Sequence, residues 1–115
     1  MPRTVASLLT DKFGTLSTPR TNPLGVASIG TTAVKVLSNN PNRFEWTFSN
    51  LSPNTIYLFF DSTVSTSNGY VASPSGGFVR CYWEEDGERV GYEVWAIANG
   101  AASSFLVEEI VSAHG

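Results

Sequence analysis

The 115-residue chain is long enough for one domain with its own core, and seven basic against ten acidic side chains leave a formal net charge of -3. That mild acidic balance argues against nucleic acid as a partner, because binding a phosphate backbone needs a basic surface. Charged residues make up 15% of the chain, below the roughly 25% of an average soluble domain, which fits either a loop-rich sheet protein or a surface partly covered by copies of itself or by a larger partner.

Cys81 is the one cysteine, so an internal disulfide is excluded. It sits in a strand-like run and reads as a small buried hydrophobe. With one Cys, one His and one Met, no zinc or transition-metal site built within one chain is expected, and no cofactor. No apolar stretch approaches the ~20 residues of a membrane helix, so no membrane partner is expected. The N-terminus lacks the basic-then-apolar order of a secretory signal. The expectation is a chain not secreted by the general route, with packaging into a particle inside a cell left open.

Residues 1–25 differ from the rest. Val5 to Leu9 fits one helical turn or a short strand, and a run rich in Thr, Ser, Gly and Pro follows. Pro19 and Pro23 bar this stretch from a central strand. It is a flexible tail or an extended arm lying on a neighbouring subunit. Leu8, Leu9, Phe13 and Leu16 are the side chains such an arm could bury, which makes them interface candidates. Residues 26–115 then form a single β domain.

Within that domain, Thr32 to Leu37 is the first strand and Asn39 to Asn42 a turn. The strongest signal follows. Phe44, Trp46 and Phe48 alternate with Arg43, Glu45 and Thr47, which predicts a strand with one buried and one wet face. Asn50 to Asn54 turns the chain. Thr55 to Asp61 is apolar on both faces, so it is central or covered on both sides. The polar run 62–69 ends in Asn68-Gly69, which favours a turn with positive φ. Tyr70 to Ala72 makes a short edge strand, and Ser73 to Gly77 another turn. Phe78 to Glu84 is a strand, Asp86-Gly87 a hairpin, and Arg89 to Ile97 the return strand. Asn99-Gly100 marks a further hairpin before the last strand, Ser103 to Val111, where Phe105, Val107 and Glu109 oppose Leu106, Glu108 and Ile110. Residues from Ser112 on are expected to fray. Short strands with turn signals every eight to twelve residues predict an all-β fold: an antiparallel β-sandwich or a jelly-roll-like barrel, with an extended N-terminal arm.

Signals for chemistry are sparse. Glu84, Glu85, Asp86 and Glu88 cluster around one turn but lack the spacing of a calcium loop. They read as a solvated turn or as contacts to a basic partner surface, and so join the interface candidates. Glu45, Asp61, Glu93 and Glu108 could supply a carboxylate pair for glycoside hydrolysis only if a cleft brought two together. His114 stands next to the last residue, a poor mount for a general base. Gly76-Gly77 is not followed by a phosphate-loop Lys-Ser or Lys-Thr. No catalytic residue is assigned. Trp46, Trp83 and Trp95 occupy alternating strand positions and suit a core, a subunit interface or a glycan-binding platform.

One pattern reaches beyond composition. Asn50 ends a strand, Ile56-Tyr57-Leu58 begins the next, Val64 to Gly69 forms a Ser/Thr loop closed by Asn-Gly, Pro74 and Gly76-Gly77 turn the chain, and Trp95-Ala96-Ile97-Ala98 lies in the last sheet. Over about half the chain this resembles small β-sandwich virion proteins of tailed bacteriophages, the capsid decoration and head or tail accessory proteins. The acidic stretch Glu84 to Glu88 and the longer Asn50 turn depart from that pattern. The resemblance implies a virion protein assembled in the host cytoplasm. It would stabilise a capsid through subunit contacts, as a homo-oligomer with a trimer favoured, against the major capsid or another virion protein, with no chemical step. The alternative is a carbohydrate-binding module or receptor-binding accessory domain, with a glycan as partner.

Overall fold

The computed structural model describes residues 17–112. The arm contacts proposed for Leu8, Leu9, Phe13 and Leu16, and the position of His114, lie outside the described residues. The described strands are β1 (Ser17–Thr21), β2 (Val34–Leu37), β3 (Arg43–Asn50), β4 (Ile56–Phe59), β5 (Tyr70–Ala72), β6 (Phe78–Tyr82), β7 (Val94–Ala98) and β8 (Phe105–Ser112). They form two four-stranded antiparallel sheets, in the orders β1-β8-β3-β6 and β2-β7-β4-β5. The protein is an all-β sandwich. Apart from β4 and β5, consecutive strands lie in different sheets, and this winding is that of a jelly roll.

The aromatic alternation of β3 does what its period requires. Trp46 and Phe48 point into the space between the sheets and are 2% and 0% exposed. Phe48 stacks on Phe105 with ring centroids 5.4 Å apart. The facing sheet contributes Val36, Leu37, Ile56, Leu58, Val94 and Ala96. β4 lies inside its sheet, between β7 and β5, and β5 is at the edge. The sheet begins at Ser17, before residue 26: β1 pairs antiparallel with β8 and holds Pro19 at the sheet edge, where a missing amide hydrogen is tolerated.

Several local expectations are corrected. Arg43 is buried, because a register irregularity between Arg43 and Glu45 breaks the alternation and turns Arg43 inward. Asp86-Gly87 does not make a hairpin. Trp83–Asp86 is a single helical turn, Gly87–Gly91 a 3-10 helix, and the chain crosses to the other sheet, where β7 starts at Val94. Asn99-Gly100 is not a hairpin either, since β7 and β8 lie in opposite sheets. Asn68-Gly69 adopts no positive φ; Ser75 and Gly76 do, at 59° and 109°. Ser112 closes β8 and is buried rather than frayed.

Candidate interaction surface

The acidic candidates sit together on the β6–β7 connection and are held locally. Glu84, Glu85 and Glu88 are exposed and Asp86 is half-buried. Asp86 Oδ2 accepts the Tyr82 backbone N–H at 3.0 Å, which stops β6 and starts the helical turn. Glu85 accepts the Tyr82 hydroxyl, and that hydrogen bond, with the charge of Glu85, raises the phenol above its ordinary range. Among the described residues no group of three or more His, Cys, Asp or Glu is placed to hold a metal ion.

The other carboxylates lie on or beside the two sheets, each with its own neighbours. Glu45 Oε1 accepts both Nε and Nη2 of Arg80, at 2.9 and 2.6 Å, and the same guanidinium lies over the Tyr82 ring. Glu108 faces outward on β8, opposite Thr47 and Thr21. Asp61 caps Thr63, whose hydroxyl and amide hydrogen bonds hold its carboxyl below the ordinary range. Glu93 accepts the Trp95 indole N–H. Glu45 and Glu108 are diagonal neighbours on the outer face of the first sheet and line one pocket of about 160 Å³ with Pro19 and Thr47, where Glu45 is tied to Arg80; Asp61 and Glu93 flank strands of the other sheet.

Several openings lie beside the acidic connection. A cavity of about 430 Å³ is lined by Pro41, Phe44, Trp83, Glu88 and Val90, among others. A smaller one, about 120 Å³, reaches Trp46 and Cys81 between the sheets. The Cys81 thiol is 4% exposed, and its pKa is pushed up from 9.0 to about 12, first by burial and then by the Asp86 carboxylate. It is a packed side chain and no nucleophile at neutral pH.

The surface with the most character is the outer face of the β2-β7-β4-β5 sheet. Register places Lys35 beside Trp95 and Trp95 beside Phe59; one step along, Ile97 lies beside Tyr57 and Tyr57 beside Val71. Tyr57, Phe59, Trp95 and Ile97 are half-buried against one another, and Val71 is 55% exposed. Two charges border this face, both on Trp95: the Lys35 ammonium lies 5.7 Å from its ring centroid, and the Glu93 carboxylate accepts its indole N–H. The three tryptophans therefore divide. Trp46 and Trp83 pack in or against the core, whereas Trp95 belongs to the outer face. The apolar outer positions of β4 were visible in sequence as a strand apolar on both sides; that they share a face with Trp95 and Val71 depends on register.

No family model matches the sequence, and no curated protein and no solved structure is similar to it.

Proposed function

We propose that this chain is a virion structural protein of the capsid decoration kind. It acts by contact area rather than by chemistry. The observation that carries the reading is the outer face of the β2-β7-β4-β5 sheet, where Tyr57, Phe59, Val71, Trp95 and Ile97 make an aromatic and aliphatic platform bordered by Lys35 and Glu93 at Trp95. A contiguous apolar face of this kind marks a docking surface. The resemblance over Asn50 to Ala98 names the partner class: the major capsid or another virion protein, in a particle assembled in the host cytoplasm. Copies act as a homo-oligomer, with a trimer favoured, and each bound copy raises the free energy needed to pull neighbouring shell subunits apart. Enzymatic activity and a cofactor form no part of the reading.

The test is saturable binding to shells stripped of the protein. Purified chain should bind at a fixed ratio to shell protein, and Val71→Glu or Tyr57→Glu should weaken binding at least ~10-fold, since a charge is buried without a partner. Wild-type binding that never saturates, or unchanged binding of both variants, overturns this reading. The carbohydrate-binding alternative is favoured by the same three rings, Tyr57, Phe59 and Trp95, on one sheet face. It requires the Trp95 fluorescence to shift on titration with oligosaccharides, and an unchanged spectrum across a broad sugar panel ends it.

A further inference from the structure

A second surface stands apart from the aromatic sheet face. The connections β1–β2, β3–β4, β5–β6 and β7–β8 all fall at one end of the sandwich, and residues 22–33, 51–55, 73–77 and 99–104 contain no Asp, Glu, Lys, Arg or His. Hydrogen bonds tie these loops into one body. Ile29 and Ser103 exchange backbone bonds at 3.0 and 2.8 Å, Leu51 N–H donates to Ser104 O at 3.0 Å, and Ser75 N–H donates to Ser52 O at 2.9 Å. Asn54 Nδ2 donates to Ser103 Oγ at 3.0 Å.

On this end stand the two most exposed large apolar groups of the described chain, Phe78 and Leu51, together with Leu24 and Leu106. Phe78 is 66% exposed, Leu51 58%, Leu24 42% and Leu106 38%. Phe78 and Leu106 flank Ser49 on the outer face of the first sheet, and Leu51 follows two residues beyond it. The opposite end is acidic: it carries Asp61, Glu84, Glu85, Asp86, Glu88 and Glu93, with Arg89 as its exposed cation.

We infer that the charge-free loop end is a self-association face, which packs against the same end of further copies of this chain. Fixed loops presenting Phe78, Leu51, Leu24 and Leu106 form an apolar patch of the kind that associating surfaces bury, and interface cores are depleted of charge in the same way. The distribution of charge selects the occupant. Charge-free loops meet their own copy with no like-charge clash, the first charges on the adjoining sheet face being the opposite pair Arg80 and Glu108 either side of Thr47, whereas a contact through the acidic end would press carboxylates together. Joining neutral ends also holds the acidic ends of the copies apart. Closed symmetry then needs only this one patch repeated on each subunit. The inference gives a face to the self-association in the virion reading, but it rests on this surface alone and stands if shell binding fails.

Sedimentation equilibrium of the full chain, from micromolar to millimolar concentration, tests it. The expected result is a defined oligomer whose association constant changes less than ~3-fold between about 0.05 and 0.5 M salt, because no ion pair crosses the contact. Phe78→Lys and Leu51→Lys should each weaken association at least ~10-fold with unchanged circular dichroism, both sites being open in the monomer. Glu88→Lys, at the acidic end, should leave it unchanged. A wild-type chain monomeric throughout overturns the inference, as does association that Phe78→Lys and Leu51→Lys leave intact or that Glu88→Lys abolishes. A monomeric wild type whose Phe78→Lys variant loses shell binding would assign the face to the shell instead.

Discussion

Arg43 Nε donates to Glu109 Oε1 at 2.6 Å, between side chains that are 1% and 3% exposed. The rest of the guanidinium is spent on backbone carbonyls: Val90 at 3.2 Å, Tyr92 at 3.0 Å and Ser38 at 2.6 Å. One side chain thereby ties β3 to β8, to the 3-10 helix and to the end of β2. Arg can do this because its planar fork offers five donors in fixed directions.

Removing Arg43 leaves a buried carboxylate and three carbonyls without their donor. Arg43→Met is expected to cost about 3–5 kcal/mol in urea unfolding. Glu109→Gln keeps an acceptor for Nε and should cost less than Arg43→Met. Equal losses for the two would show that the carbonyl contacts contribute little.

Asn50 is fully buried and completely satisfied. Its Nδ2 donates to Asn54 O at 2.6 Å and Ala72 O at 2.9 Å, while Oδ1 accepts from Ser52 N at 3.0 Å and Ser52 Oγ at 2.7 Å. Asn50→Asp has the same shape but turns both donors into acceptors facing carbonyls. It should destabilise the fold by about 3 kcal/mol or more at neutral pH. The loss should shrink in mild acid, where a protonated carboxyl regains one donor. A loss that grows on acidification relative to wild type would contradict this.

Much of this was legible in the sequence. The period-two run Phe44, Trp46, Phe48 predicted the central strand and its inward face, whereas the last strand carries apolar groups on both faces and its inner face, with Val107 and Glu109, is set by the fold. Arg43 was hidden because a bulge shifts phase without any local mark in residue type. The turns at Asp86-Gly87 and Asn99-Gly100 were found, but their partners were not. Turn chemistry reports a change of direction, and only tertiary packing decides whether the chain returns beside itself or crosses to the facing sheet. The neutral loop end leaves a trace in sequence, since alternate connections lack charge, but that trace means nothing until the topology gathers those connections at one end.

Cys81 gives a pH-dependent signature. Its thiol ionises near 9.0 when exposed and at about 12 in the fold. The unfolded chain therefore releases its proton first as pH rises. The stability attached to this group is full below pH 9 and declines between 9 and 12. Alkylation of the native protein should be slow and should track unfolding as urea is added. Rapid labelling at pH 8 without denaturant would contradict the buried placement.

Gly91 seats the 3-10 helix on the β2–β3 turn: Asn40 N–H donates to Gly91 O at 2.8 Å, and a Cβ at Gly91 would lie 2.9 Å from Asn40 O. Gly91→Ala forces backbone against backbone and should cost about 1–3 kcal/mol by overpacking. Gly30→Ala, whose Cβ meets nothing within 4 Å, is the matched control and should stay within about 1 kcal/mol of wild type. Thermal unfolding of the two variants side by side decides it.

The central claim is that this sandwich is a structural part of an assembled particle. The most direct measurement is quantitative mass spectrometry of density-banded, washed particles from the cells that make the chain. The account predicts the chain in the particle band at a fixed ratio to the shell protein. Recovery of the chain only from the fractions free of particles would contradict it.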